Sequence, residues 1–445
     1  MTPILLFFYQ IGLLVFGAVY LAVRLARGRG LPGIQERLAS YSPEVRERLA
    51  GMDRPVWIHA VSVGEALAAR PLVEELRRRF PKKSWVVSTV TPTGREVALK
   101  QLRDSRTEVI YLPWDLGPVV DRALKRIRPS LFLSFETELW PVLFDKLGRA
   151  GVPVAVVNGR ISPRAYGRYL WVRPLMHRVL APVGLFLTQS PQDARRYAAL
   201  GAAKDRVVVG GNLKWDLDAV SSNGVPPEQL RALLGMSGAQ KLWTAGSTHP
   251  GEEKIIFKAY SSLRGKHPGL RLLVAPRHPE RAAEVEQEAR RAGLEIARWS
   301  ELRIPSPRPS PFQGEGAGEG DAVILLDTVG ELAGFYRISE FVFVGGSLVP
   351  RGGHNLVEPA SMGRPILTGP HLENFQQIAE SLRQAKGMRV VRTPEELEQA
   401  ASRLLSDPPQ ARELGNRARA VFQENQGAVK KTADLIMLRW GKALS

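Results

Sequence analysis

The sequence predicts two successive α/β domains, each built on a parallel sheet covered on both faces, behind a single apolar helix. Three observations carry this expectation. An uncharged apolar run opens the chain, short β-branched runs then alternate with amphipathic stretches in two series, and a polar break separates the series. The 445 residues exceed one ordinary core, and two domains of roughly 150–200 residues are the natural division.

The opening run has no charge from Pro3 to Val23, and Gln10 is its only strongly polar side chain. About 21 residues at 1.5 Å rise are enough to cross a bilayer core. Arg24, Arg27 and Arg29 follow at once, and positive flanks stay cytoplasmic, so the remaining chain is expected inside. A signal peptide would carry its charges before the run, and a monotopic helix is the other alternative. The order found here favours an uncleaved single-pass anchor over residues 1–25. No second apolar run of this length occurs, which excludes a multi-span transporter. The chain has no cysteine, which excludes disulfides, thiolate metal sites and cysteine nucleophiles and suits a reducing cytosol.

A basic connector, residues 26–54, leads to a first domain at 55–215. Strands are expected at Val56–Val61, Trp85–Val90, Val109–Leu112, Leu131–Phe135 and Val152–Val157. A helix over Leu67–Phe80 places Leu72, Val73 and Leu76 on one face. Such alternation implies a parallel sheet. The polar break holds Ser221, Ser222, Asn223, Gly224, Pro226 and Pro227, and sets an interdomain linker at 216–238. Strands resume at Leu242–Ala245, Leu270–Ala275, Ala322–Leu326, Phe341–Val344 and Pro365–Leu367, giving a second domain at 239–445. Within it, residues 304–320 (IPSPRPSPFQGEGAGEG) lack apolar periodicity and read as a disordered surface insertion. Pro408–Leu438 is expected to be helical and to pack back across the hinge. Two such halves suggest facing Rossmann-like domains with a cleft.

Charge narrows the partner. A formal net charge of +18 calls for nucleic acid, a phospholipid surface or a phosphorylated substrate. Between Asp145 and Asp193 there is no acidic residue, while Lys146, Arg149, Arg160, Arg164, Arg168, Arg173 and Arg178 interleave with Tyr166, Tyr169 and Trp171. If helical, Arg160, Arg164 and Arg168 share a face. Basic groups with interfacial aromatics suit an anionic membrane or lipid phosphates; an ordinary solvated basic face is the alternative.

Several strand ends carry chemistry. The first strand runs into Ser62-Val63-Gly64, and Glu65 opens a helix. This places a carboxylate at the edge where open α/β sheets bind ligands, as a candidate general base or simply as a residue favoured by the helix dipole. Glu136 and Glu138 end another strand and share a face by period-two alternation. In the second series, one strand ends in Pro276-Arg277-His278-Pro279, and a second in Asp327-Thr328-Val329-Gly330-Glu331. A third leads to Gly345-Gly346-Ser347 and on through Arg351-Gly352-Gly353-His354-Asn355-Leu356-Val357-Glu358. The glycine pairs let backbone approach a ligand, and a helix beginning near Asn355 would aim amides at a phosphate. Glu358, one turn in, is placed to accept from ribose hydroxyls. No His-Glu-x-x-His spacing suggests a metal, and the missing Walker lysine pattern argues against an NTPase.

Together with Thr91-Pro92-Thr93-Gly94, Glu136-Thr137-Glu138-Leu139-Trp140-Pro141 and Gly211-Asn212-Leu213-Lys214, these motifs resemble the 3-deoxy-D-manno-octulosonic acid (Kdo) transferases of lipopolysaccharide synthesis, nearly end to end. The resemblance implies a GT-B architecture and an inverting, metal-independent transfer of Kdo from CMP-Kdo to the lipid A precursor, lipid IVA, at the bacterial inner membrane. It implies no cofactor and no nucleic-acid partner. By position, the family's base matches Glu65 and its second acidic site Glu136. The CMP contacts match Pro276, Arg277, Val329, Gly330, Glu331, Asn355, Leu356, Val357 and Glu358. Arg160, Arg164, Arg168, Trp171, Arg173 and Arg178 are then the candidates for the acceptor and the membrane. The insertion at 304–320 departs from the family pattern. Two rivals are a lipid glycosyltransferase using a UDP-sugar and a tethered nucleic-acid-binding protein. The second leaves the strand-end signals unused.

Overall fold

The computed structural model describes residues 2–26, 30–216, 225–236, 238–302 and 323–444. The insertion at 304–320, residues 217–224 of the expected linker, and Arg27 and Arg29 lie outside the described residues.

The chain divides into two compact units, residues 1–217 with 426–445, and residues 218–425. In the first unit, seven parallel strands are arranged β3-β2-β1-β4-β5-β6-β7. They are β1 (Val56–His59), β2 (Trp85–Thr89), β3 (Thr107–Tyr111), β4 (Leu131–Phe135), β5 (Val154–Gly159), β6 (Val183–Thr188) and β7 (Val207–Val209). The helices that bear on the argument are α1 (Thr2–Ala26), α2 (Val63–Arg79), α3 (Gly117–Ile127), α4 (Pro141–Arg149), α5 (Pro163–Trp171) and α6 (Arg173–Leu180). The central strands are buried on both faces. Trp57, Val86, Phe132 and Val156 face one apolar cluster, whereas Ile58, Val87, Leu133 and Val157 face the other. Period-two exposure is lost for that reason, and the strands read as continuous apolar runs.

The second unit repeats the plan with the order β10-β11-β9-β8-β12-β13-β14. Its strands are β8 (Lys241–Thr248), β9 (Leu270–Pro276), β10 (Ile296–Arg298), β11 (Val323–Leu325), β12 (Phe341–Val344), β13 (Ile366–Thr368) and β14 (Met388–Val390). Helices α7 (Leu332–Ile338), α8 (Val357–Ser361) and α9 (Pro408–Asn425) belong here, and α10 (Ala428–Leu444) follows. In each sheet the chain leaves the central strand in one direction and later resumes on its other side. This creates a switch point beside β1 and β4, and another beside β8 and β12, where open α/β sheets place ligands.

Two expected boundaries move. Residues 225–236 are not a connector, because Leu230, Leu234 and Met236 are buried in a core cluster of the second unit. The terminal helical stretch is broken at Gly427, where φ is 87°, and α10 joins the first unit. Asp216 caps α10 by accepting the amides of Gly427 (2.8 Å) and Val429 (2.6 Å). Ala433 and Ile436 then pack with Leu185 and Leu187.

Candidate active site

In the first unit, the switch point gathers three carboxylates. Ser62 caps α2, and Glu65 sits in its first turn, so the sequence Ser-x-x-Glu forms a local capping arrangement. The Val61 amide donates to Glu65 Oε2 at 2.8 Å, and the Ser62 hydroxyl donates to Oε1 at 3.2 Å. These bonds favour the ionised form. Burial opposes them and prevails, aided by the charges of Glu136 and Glu138, and the Glu65 carboxyl is pushed up to about 8. A carboxyl with this affinity is suited to exchanging a proton near neutral pH.

Glu136 and Glu138 do not share an extended face. Strand β4 ends at Phe135, and Glu136 has φ 54°, in the left-handed region, so alternation stops there. Lys214 approaches Glu136 Oε1 at 2.9 Å, and the Tyr197 hydroxyl donates to the Glu136 carbonyl at 3.2 Å. Glu138 turns instead to His59, whose Nε2 lies 3.9 Å from its Oε2. His59 is fully buried at the end of β1, and its Nδ1 lies 3.0 Å from the Ser88 carbonyl. The Ser88 hydroxyl is equally 3.0 Å from Nδ1, and Nε2 is directed at Glu138. Neither His59 nor Lys214 was given a role from sequence. A histidine inside an apolar strand was the available signal for the first.

In the second unit, the ends of β9, β11 and β12 lie on one edge of the sheet, because all its strands are parallel. Arg277 and Val329 are exposed there, Gly330 has φ 93°, and Glu331 accepts from the Thr328 hydroxyl. The glycine loop is more committed than its sequence suggests. Glu252, fully buried, accepts the amides of Gly346 (2.7 Å), Ser347 (2.9 Å), Leu348 (2.8 Å) and His249 (3.0 Å). The first glycine pair therefore cradles an internal carboxylate. A Cβ at Gly345 would stand 2.6 Å from the Ser247 carbonyl, so close approach is required there.

Helix α8 is a five-residue turn, and the Val357 amide is already bonded to Asn355 Oδ1 at 2.9 Å. The amides expected to point at a phosphate from this helix are correspondingly fewer. Asn355 also donates to Glu358 Oε1 at 3.0 Å, and burial raises the Glu358 carboxyl. Beside them stands a histidine pair that sequence reasoning missed. His249 Nε2 and His354 Nε2 are 2.8 Å apart, with ring planes within 3°. Burial, neighbouring histidines and arginines lower both to about 4, so the pair is neutral at pH 7. Arg277 and Arg351 are exposed nearby and make the surroundings cationic.

The basic segment is only partly assembled. Ser162 caps α5 through the Ala165 amide, so Arg160 precedes the helix and only Arg164 and Arg168 share it. Both are exposed, as is Arg173, and Trp171 is 91% exposed at the end of α5. Arg178 is not available in the same way, because Asp145 binds it at 3.0 Å. Lys146 is likewise bonded to Asp121 at 2.7 Å. Among the described residues, no group of three or more His, Cys, Asp or Glu side chains is arranged to hold a metal.

A family model described as 3-deoxy-D-manno-octulosonic-acid transferase (kdotransferase) matches residues 32–217. The chain is 35% identical over 411 residues to the 3-deoxy-D-manno-octulosonic acid transferase of Haemophilus influenzae, covering 90% of this chain and 93% of that one. It is 31% identical over 398 residues to the Bordetella pertussis transferase of the same name, covering 87% and 88%. Among solved structures, the UDP-GlcNAc 2-epimerase of Neisseria meningitidis aligns over 87% of this chain and 100% of that one, with TM-score 0.56 and 13% identity. That likeness concerns the fold alone, two parallel-sheet units of the GT-B type. Sequence identity across nearly the whole length decides the family: the chain belongs to the 3-deoxy-D-manno-octulosonic acid transferases and is a glycosyltransferase.

Proposed function

We propose that the chain transfers Kdo from CMP-Kdo to the lipid A precursor, lipid IVA, with inversion at the anomeric carbon. Glu65 carries the reading. It stands at a switch point, half-buried, with a carboxyl whose proton affinity is matched to proton exchange. In the proposed step, an acceptor hydroxyl loses its proton to Glu65 as its oxygen bonds the anomeric carbon. The bond between that carbon and the phosphate oxygen breaks, and CMP leaves with the electron pair. Glu136, held by Lys214, is the second acidic group of the site. His59 and Glu138 border it.

The donor assignment covers Pro276, Arg277, Val329, Gly330, Glu331, Asn355, Leu356, Val357 and Glu358. Parallel strand ends and a cationic edge support it, with Arg277 and Arg351 offering charge to a phosphate and a sugar carboxylate. Arg164, Arg168, Arg173 and Trp171 are proposed for the anionic lipid surface. Arg160 stays with them only as a neighbour ahead of the helix, and Arg178 serves Asp145 instead. No metal or other cofactor enters the proposed step. An apolar helix long enough to cross a bilayer, Ile4–Val23, is consistent with membrane association, and Arg24, Arg27 and Arg29 beside it suit the anionic cytoplasmic leaflet of the inner membrane.

A donor panel tests the substrate. CMP is expected to protect the purified chain against thermal unfolding, with UDP failing to do so. Protection by UDP alone would move the reading to a lipid glycosyltransferase that uses a UDP-sugar.

A further inference from the structure

Helix α1 is tied into the first unit at positions between Leu6 and Gly17, while most of its apolar surface stays exposed. Its one strongly polar residue in the apolar run, Gln10, accepts the Gly117 amide at 2.8 Å and donates to the Leu6 carbonyl at 3.3 Å. One residue earlier, Tyr9 is hydrogen-bonded to Asp115. Asp115 is buried and accepts the amides of Val142 (3.0 Å) and Leu143 (2.7 Å) at the start of α4. Further on, a Cβ at Gly17 would lie 3.8 Å from the Trp114 ring, and the Trp114 amide donates to the Arg37 carbonyl at 2.8 Å. Tyr9 and Leu13 pack on the core of the unit. These positions form one face at helical spacing. Ile4, Phe7, Phe8, Ile11, Val15 and Val19 are exposed elsewhere on the helix.

This arrangement conflicts with a crossing. Arg24 marks the cytoplasmic end of the apolar run, and Gln10 lies about 14 residues before it, or about 21 Å along a helix axis. That depth passes the middle of a hydrocarbon core about 30 Å thick. The loop 113–117 bonded to Gln10 would be carried there, with the start of α3 and the Asp121–Lys146 pair. A charged group at the bilayer centre is strongly disfavoured, and lipid-facing loop backbone leaves polar groups unsatisfied.

We infer that α1 lies in the membrane plane as an interfacial anchor, with protein on one face and phospholipid acyl chains on another, in place of the span its length allows. The inference rests on the membrane-bound reading but not on the sugar chemistry. A second apolar contact belongs to the same surface. Leu170, Trp171 and Val172 are exposed where α5 meets α6, α1 packs against α6, and Arg164, Arg168 and Arg173 stand nearby for anionic headgroups.

The chain has no cysteine, so a single introduced thiol reports alone. Thr2→Cys is treated with a membrane-impermeant maleimide in spheroplasts and in inside-out vesicles. Reaction in the vesicles and none in spheroplasts is expected. Reaction in spheroplasts places this end in the periplasm and overturns the inference. If the thiol is silent from both sides, the double variant Gln10→Cys/Gly117→Cys decides, on oxidation in isolated membranes. A cross-link supports the docked helix, and its absence refutes it. Recovery of the folded chain entirely in the soluble fraction would instead remove the membrane reading itself.

Discussion

Lys214 holds Glu136 in an ion pair at 2.9 Å, and Glu136 is the largest charge contribution to the raised Glu65 carboxyl. The lysine thus acts on Glu65 through an intermediary. Lys214→Met leaves the Glu136 charge uncompensated, and the rising limb of kcat/KM against pH is expected to move up by roughly one unit, an interaction of about 1.4 kcal/mol. Full activity should return at sufficiently alkaline pH. A profile that keeps its midpoint while losing height would assign Lys214 to substrate binding instead.

The unmodified chain should show the same titration. Glu65 is protonated below about 8, so kcat/KM is expected to rise about tenfold per unit as pH approaches that value, then level off. Stability carries the opposite trend. The folded carboxyl binds its proton more tightly than the ordinary value of 4.5, so its contribution is complete below 4.5 and declines as pH rises through about 8. Thermal melting of Glu65→Gln should therefore depend less on pH across this window than melting of the unmodified chain.

Glu252 is expected to matter for the fold before it matters for chemistry. Glu252→Ala removes the acceptor of four amides and leaves buried donors unmatched, each worth about 1–3 kcal/mol. A loss of at least about 3 kcal/mol of stability, measured by denaturant unfolding, is expected. Loss of nucleotide protection should accompany it, because the glycine loop loses its template.

The exposed tip of α5 offers a contrast. Trp171→Ala should leave melting unchanged within about 0.5 kcal/mol, as for other surface sites, and should weaken sedimentation with anionic vesicles. Arg178→Ala should do the reverse, lowering melting modestly by removing one of the two arginines that pair with Asp145, the other being Arg149 at 2.9 Å, while leaving vesicle binding intact.

Much of this was legible in the sequence, for identifiable reasons. The β1 run followed by Ser-Val-Gly-Glu announces the strand and the helix that Glu65 opens, so Glu65 is placed at the sheet edge by sequence alone. Strands β4, β9 and β12 were readable because buried parallel strands are short, apolar and bounded by turn residues. Partners distant in sequence were not readable. Nothing near Glu136 points to Lys214, nothing near Gly346 points to Glu252, and Arg178 gave no sign that Asp145 would bind it. The left-handed turn at Glu136 likewise follows from the close of β4 and not from local alternation. Residues 426–445 return to the first unit because Asp216 caps α10, a contact between opposite ends of the unit.

The assignment of Glu65 is tested most directly by following Kdo transfer from CMP-Kdo, generated in situ, to tetra-acylated bisphosphorylated lipid A precursor by mass spectrometry. Membranes carrying the unmodified chain are compared with membranes carrying Glu65→Gln at matched levels of folded protein. A mass gain of one or more Kdo residues with the unmodified chain alone is the predicted result. Near-equal turnover by the folded Glu65→Gln chain would contradict the account, because its central carboxylate would then be a helix cap and not the base.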